Sequence, residues 1–257
     1  MKLAGKVVII TGAGSGIGRA CALEYGRQGG LVVIADVNQQ LGQETAQLIQ
    51  EAEGQADFVE TDVSQRSDAE RMVQTVIKRH GKLNCLHNNA GVEGNGSVEV
   101  CDEEQWDRVL GINLKGVFLC SKYAVPEIRK QGGGAILNTA SVSAFWGEPG
   151  TVSYNTSKGG ILALTRAMAM DHGRDNIRVN CLCPGYTNTG MVERYFRDQP
   201  NGMEMMPKIS KLEALGRIGN PGEIARAALF LLGDDCTYAT GAAFVVDGGM
   251  TAGYPWL

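Results

Sequence analysis

The run Lys6-Val7-Val8-Ile9-Ile10-Thr11-Gly12-Ala13-Gly14-Ser15-Gly16-Ile17-Gly18 decides the fold of this 257-residue chain. Residues 6–10 form a short apolar, β-branched stretch, the pattern of a strand buried on both faces. A glycine turn follows, and residues 19–28 carry a helical pattern that stops at Gly29-Gly30. Strand, glycine turn and helix in that order are the context that a dinucleotide-binding turn requires. Glycine lets the backbone approach a pyrophosphate, and a helix N-terminus offers unpaired N–H groups and the positive end of its dipole. Gly12, Ser15, Gly16, Ile17 and Gly18 are therefore the candidate phosphate contacts.

Downstream, residues 31–35 repeat the buried-strand pattern and end at Asp36, 18 residues beyond Gly18. A carboxylate about 20 residues past the glycine turn is placed to accept hydrogen bonds from the adenosine ribose hydroxyls. The same charge repels a ribose 2′-phosphate, by of order 4 kcal/mol at ~4 Å and an effective dielectric of ~20. No Arg or Lys follows in Val37-Asn38-Gln39-Gln40 to compensate. The expected cofactor is NAD, not NADP.

Strand and helix patterns then alternate along the chain. Helical spacing is read over residues 39–53, 68–80, 103–110, 114–129 and 221–232, and strands over 56–60, 83–88, 135–139, 177–182 and 243–246. Such alternation predicts a parallel sheet with right-handed crossovers and helices on both faces, and ligands outside the strand carboxyl ends. Residues 186–218 lose periodicity and read as a substrate lid, since long irregular segments inside a domain are commonly functional. No linker composition divides residues 1–257, so one domain is expected.

Tyr154 and Lys158 are four apart at the start of a further helical pattern, and so share one face. An ammonium beside a phenol favours phenolate, and lowering the phenol pKa from the ordinary ~10 to ~9 takes about 1.4 kcal/mol of differential interaction. That pairing makes an acid/base group out of tyrosine. Alone, a Tyr-x-x-x-Lys spacing is weak evidence.

The totals narrow the partners. Net charge is −4 and no basic cluster stands out, which argues against nucleic acid. The apolar run before the glycine turn is too short for a membrane span or a signal-peptide core. The 7 cysteines include no Cys-x-x-Cys pair and the 3 histidines are scattered, so no metal site is expected. Buried, reduced thiols suit a cytoplasmic protein. Cys181 and Cys183 would share one face of a strand.

Taken together, Thr11-Gly12-x-x-x-Gly16-x-Gly18, Asn88-Asn89-Ala90-Gly91, Asn113, Ser141, Tyr154-x-x-x-Lys158 and Pro184-Gly185 resemble the short-chain dehydrogenase/reductase family, over essentially the whole chain. The resemblance implies an α/β fold: a single-domain, Rossmann-type, doubly wound parallel sheet of seven strands. It implies a catalytic tetrad of Asn113, Ser141, Tyr154 and Lys158. Tyr154 would exchange a proton with the substrate oxygen, Ser141 would hydrogen-bond that oxygen, and Lys158 would bind the nicotinamide ribose. Asn113 would hold a water linking Lys158 to solvent. Lys158 and the oxidised nicotinamide together would depress the Tyr154 pKa.

By the same resemblance, Asp62 and the Val63 backbone would meet adenine, while Asn89, Ala90 and Gly91 would line the cofactor with Pro184, Gly185, Thr187 and Thr189. Thr187 stands where the family commonly has an aliphatic residue. Ser141, Ser143, Tyr154 and Tyr186 are the expected substrate contacts; Glu93, Phe145, Trp146, Glu148, Met191 and Met206 are further pocket candidates. A homotetramer is implied.

The activity implied is NAD-dependent interconversion of a small-molecule secondary alcohol and its ketone. Two alternatives stay open. A 3-ketoacyl-carrier-protein reductase would use NADPH, which Asp36 opposes. A non-catalytic NAD-sensing protein would have no need of Ser141, Tyr154 and Lys158 together.

Overall fold

The structure is a computed structural model that describes residues 1–198 and 202–253, apart from the side chains of Met203 and Met206. Seven strands, β1 (Val7–Thr11), β2 (Leu31–Asp36), β3 (Gln55–Glu60), β4 (Cys85–Asn88), β5 (Gly134–Thr139), β6 (Ile177–Pro184) and β7 (Ala243–Val246), form one sheet. Their order is β3-β2-β1-β4-β5-β6-β7. All neighbours are parallel, with β1 pairing β2 on one side and β4 on the other. The strand order therefore reverses at the β1/β4 boundary, the place where such sheets open a crevice at their carboxyl ends.

Strand β1 shows why the sheet is covered on both sides. Its five residues are all buried. Val8 and Ile10 pack with Cys21 and Tyr25 of α1 (Gly16–Arg27) and with Leu229 of α9 (Pro221–Leu232). Val7 and Ile9 point the other way, toward Met72 and Val76 of α3 (Arg66–His80) and Leu119 and Ile128 of α5 (Gly116–Lys130). Helix α2 (Gln39–Glu51) links β2 to β3. Its start is fixed by Asn38, whose side chain accepts from the Leu41 N–H at 3.0 Å. Helix α9 carries Pro221 in its first turn and a capping box between Asn220 and Glu223.

Three local features differ from the sequence expectation. The helical stretches around Asn113 are continuous: α4 (Glu103–Leu110) runs through a π turn, Gly111–Lys115, into α5. A π turn inserts an extra residue and shifts the helical register, so the apolar period breaks without the helix ending. Residues 186–218 are not irregular throughout, for they contain α7 (Gly190–Arg197) and α8 (Gly202–Ile209). Both are two turns long, and Pro207 lies inside α8, so neither accumulates a readable period. Helix α1 begins at Gly16, inside the glycine turn, three residues before the apolar pattern becomes visible.

His87 and all the cysteines but Cys101 sit in ordinary core. His87 is fully buried between the Tyr25 hydroxyl and the Thr139 hydroxyl, each at 2.9 Å, and burial pushes its pKa down to about 3. All cysteines are free, and all except Cys101 are buried. Among the described residues no helix is long and apolar enough to cross a membrane.

Glu213 is not ordinary. It is 3% exposed, and neither carboxylate oxygen has a hydrogen-bond partner among the described residues. Burial first, then the neighbouring Asp247 charge, push its pKa from 4.5 to about 7, against the pull of Arg217. Because the folded pKa is raised, the protonated form keeps full stability below pH 4.5. Stability is then lost as pH rises from 4.5 toward 7. Denaturant unfolding across that range should show Glu213→Gln gaining on the parent protein as pH rises. Parallel pH profiles for the two proteins would rule out the ionisation of Glu213 as the cause.

Candidate active site

The crevice at the β1/β4 boundary is a cleft of about 620 Å³, and every candidate cofactor contact lines it. At one end lie Gly12, Ser15, Gly16, Ile17 and Gly18. Gly12 has φ +64°, and a Cβ there would sit 2.7 Å from Ala90 Cα, so only glycine lets β1 and β4 approach so closely. A Cβ on Gly18 would lie 2.1 Å from the Gly12 carbonyl oxygen. The first turn of α1 contains no acidic residue, and the Ser15 side chain makes no cap hydrogen bond. Its leading N–H groups are thus left to an anion.

Asp36 closes one flank. Its Oδ2 accepts the Gly14 N–H at 2.8 Å and its Oδ1 the Asn38 N–H at 2.9 Å. Each oxygen is held by one donor and retains acceptor capacity toward the cleft. The nearby Arg19 guanidinium is already committed to the Gly14 and Leu41 carbonyls, the Thr45 hydroxyl and Glu44. Asp62 Oδ1 accepts from the Ser64 N–H and hydroxyl, while Val63 packs beneath. On the far wall the Thr189 hydroxyl caps α7, accepting the Val192 N–H at 3.4 Å. A Cβ on Gly16 would be 3.4 Å from Thr189 Cγ2, so this wall stands directly against the glycine turn. Thr187 is buried, and its hydroxyl donates to the Gly185 carbonyl. An open cleft with free N–H groups at one end and a fixed carboxylate on its flank fits a nicotinamide dinucleotide.

Asn89 lines the cleft and also braces the glycine turn. Its Nδ2 donates to the Thr11 and Gly12 carbonyls at 3.1 and 3.2 Å, and its own N–H donates to the Thr11 hydroxyl at 3.0 Å.

The reacting end is built by β5, the turn after it, and α6 (Val152–His172). β5 delivers Ser141 just beyond its carboxyl end, where its hydroxyl accepts the Ser143 N–H and donates to the Ser143 hydroxyl, both at 3.2 Å. The buried face of α6 includes Ser153, Ser157, Lys158, Ile161 and Thr165, which turns Tyr154 and Lys158 toward the cleft. Lys158 Nζ lies 5.4 Å from the Tyr154 ring centroid and donates to the Thr139 carbonyl at 2.9 Å. Asn113 stands behind this pair. Its Oδ1 accepts the Val92 N–H at 2.8 Å, and its Nδ2 donates to the Val92 carbonyl and the Ser157 hydroxyl. A Cβ on Gly91 would be 3.4 Å from Asn113 Oδ1 and 3.5 Å from Lys158 Nζ, so glycine keeps the space between them open. The π turn is what brings Asn113 inward at this depth.

In the protein alone the phenol is not depressed. Enclosure of its hydroxyl pushes the Tyr154 pKa up to about 12; Ser141 pulls it down, and Glu148 and Glu93 push it further up. Burial also lowers Lys158 to about 8. Desolvation of both partners outweighs the attraction expected from the four-residue spacing. Cys181 and Cys183 do share a face, with their sulfurs 3.9 Å apart.

Beyond Tyr154 opens a smaller cavity of about 90 Å³. Ser141, Ser143, Tyr154, Tyr186, Glu93, Trp146, Glu148 and Met191 line it, but Phe145 does not. Met206 falls outside the described side chains. Tyr186 donates to Glu148 Oε1 at 2.5 Å. Tyr195, which no sequence pattern singles out for the site, lines the same cavity. Phe196 packs against both tyrosine rings and holds α7 in place. Met191 and Tyr195 are four apart, a shared-face signal that only a helical reading of residues 190–197 exposes.

Comparison with known proteins accords with this arrangement. The family profile described as enoyl-(acyl carrier protein) reductase matches residues 12–251. Meso-2,3-butanediol dehydrogenase of Serratia marcescens is 39% identical, over 98% of this chain and 97% of its own. The 3-oxoacyl-acyl-carrier-protein reductase FabG of Thermotoga maritima is 36% identical, over 97% of this chain and 99% of its own. The crystal structure of levodione reductase superposes with a TM-score of 0.95 at 33% identity, covering 98% of this chain and 100% of that one. The chain belongs to the short-chain dehydrogenase/reductase family and is an oxidoreductase with a nicotinamide cofactor.

Proposed function

We propose that this protein is an NAD-dependent oxidoreductase that interconverts a small secondary alcohol and its ketone, with Tyr154 as general acid/base. The observation that carries the proposal is the position of Ser141 and Tyr154, which line both the large cleft and the small cavity. A substrate oxygen in the cavity meets two hydroxyls at the mouth of the nucleotide cleft. When bound, the nicotinamide supplies hydride exchange with the carbinol carbon.

The chain's own groups do the rest. In alcohol oxidation Tyr154 takes the hydroxyl proton, and in ketone reduction it returns one to the carbonyl oxygen. Ser141 fixes that oxygen, its own hydroxyl oriented by Ser143. Lys158 holds the ribose side of the cleft, with Asn113 anchoring the backbone at Val92 beside it. The reading takes residues 1–257 as one domain in which residues 186–218 cover the substrate. It also takes the assembly as a homotetramer in the cytoplasm. The exposed Phe118 on α5 and Met170 on α6 support the assembly, because they lie on the two helices expected to pack between subunits. The substrates are small molecules, with no part for nucleic acid or membrane.

The NADPH-dependent 3-ketoacyl-carrier-protein reductase stays as the second reading because of the FabG relative. Asp36 argues against it: both oxygens are fixed by backbone N–H groups, and the nearest guanidinium, Arg19, is already engaged. We expect kcat/KM to favour NAD over NADP by ~100-fold, through repulsion of the 2′-phosphate. Asp36→Ala should narrow the gap by ~10-fold, mainly by improving NADP. Steady-state assays with both cofactors decide it, and equal use by the unmodified protein would refute the NAD assignment.

A further inference from the structure

The substrate cavity contains two carboxylates, and they differ in one respect that bears on the substrate. Glu148 is satisfied. Tyr186 donates to its Oε1 at 2.5 Å, and neither of its oxygens is left buried without a partner among the described residues. Glu93 is not. Its Oε2 is buried without a partner among the described residues, and its Oε1 makes a loose ion pair with Arg194 Nε at 3.7 Å, in a side chain that stays 26% exposed. Burial pushes the Glu93 pKa upward, with Arg194 opposing. A carboxylate in this state has acceptor capacity that the protein leaves unused.

Glu93 belongs to the cavity wall that also contains Ser141 and Tyr154, and its charge is close enough to act on the Tyr154 phenol. A cavity of about 90 Å³ suits a small molecule, and a substrate with its carbinol at Tyr154 carries its next polar group within a few bonds, inside the wall that Glu93 shares. We infer that Glu93 is a specificity residue that accepts a hydrogen bond from a second hydroxyl on the substrate, so the preferred substrates are diols, polyols or hydroxyketones, not simple alcohols. This rests on the secondary-alcohol reading above. The donor is a neutral hydroxyl and not an ammonium, because Arg194 already places a cation beside Glu93 and would repel a second. A simple alcohol in the same cavity leaves the carboxylate unpaired, which is how a site built for a donor rejects the analogue that lacks one.

The test compares matched pairs in kcat/KM with NAD and NADP: 2-butanol against butane-2,3-diol, cyclohexanol against cyclohexane-1,2-diol, and the amino analogue 2-aminocyclohexanol. The parent protein should favour the diol of each pair by ~10–100-fold and the amino alcohol by less. Glu93→Leu should reduce that preference to within ~3-fold, read as the ratio of the two kcat/KM values in the same variant. Glu93→Gln, which keeps an acceptor oxygen, should retain an intermediate preference. Alcohols oxidised with no preference for the diol, or a preference that survives Glu93→Leu, overturn the inference and leave the dehydrogenase reading standing. Amino alcohols preferred over diols overturn it in favour of cation recognition. Failure to oxidise any of the panel with either cofactor overturns the dehydrogenase reading and the inference together.

Discussion

Tyr154→Phe should lower turnover by ~1000-fold and leave nucleotide binding nearly intact. The substitution keeps the ring, and with it the contact to Lys158, whose Nζ lies 5.4 Å from the ring centroid. What it removes is the hydroxyl, the group that Ser141 reaches at the mouth of the cavity. Positioned proton transfer contributes ~100- to 10,000-fold in enzymes generally, and no other titratable group stands ready to replace it. Glu148 is already taken up by Tyr186. Glu93 is engaged in a loose ion pair with Arg194. Isothermal titration with the cofactor, set beside single-turnover rates, separates the two effects. Near-normal turnover by Tyr154→Phe would remove Tyr154 from the mechanism, whatever its place in the cavity.

The parts of this site that are legible in the sequence are those where one residue type answers one local demand. Gly12 and Gly18 are legible as obligatory glycines because a Cβ at either would collide with backbone. Asp36 is legible because it ends a β-branched strand at the expected distance from the glycine turn. The strands themselves are legible to within two residues, since β-branched runs bounded by turns leave little choice. What is not legible depends on partners remote in the chain. The two oxygens of Glu93 and of Glu148 look alike in sequence. Only packing gives Glu148 the Tyr186 hydroxyl and leaves Glu93 with a loose ion pair to Arg194. The buried carboxylate of Glu213 carries no pattern at all. Asn89 is placed correctly by its motif, but which atoms it serves depends on how closely β4 approaches β1. The Tyr154–Lys158 spacing foretells adjacency but not pKa, because desolvation is a property of everything that surrounds the pair.

That dependence on surroundings makes Lys158 the sharper test. In the protein alone Tyr154 sits at about 12 and Lys158 at about 8, both displaced by burial toward their neutral forms. Adding the positive charge of an oxidised nicotinamide to the cleft favours the phenolate, and an ammonium on Lys158 adds to it. In the complex with oxidised cofactor the catalytic pKa should therefore fall well below the ordinary ~10. Alcohol oxidation needs the deprotonated phenol, so its rate should climb with pH through that pKa and then level off. Ketone reduction needs the protonated phenol and should lose rate over the same range. Lys158→Met removes the charge while keeping much of the stem. Its oxidation profile should move to higher pH by about 1 or more, which alone costs ~10-fold in rate at neutral pH. Loss of the ribose contact should weaken cofactor binding as well, for a combined fall in kcat/KM of ~1000-fold. The measurement is a pair of pH–rate profiles, one per direction, with a deuterated alcohol showing that chemistry limits the rate. A Lys158→Met protein with reduced activity but an unmoved profile would assign Lys158 to cofactor binding alone. Its bond to the Thr139 carbonyl would then be structural, and the tuning of Tyr154 would fall to the cofactor's own charge.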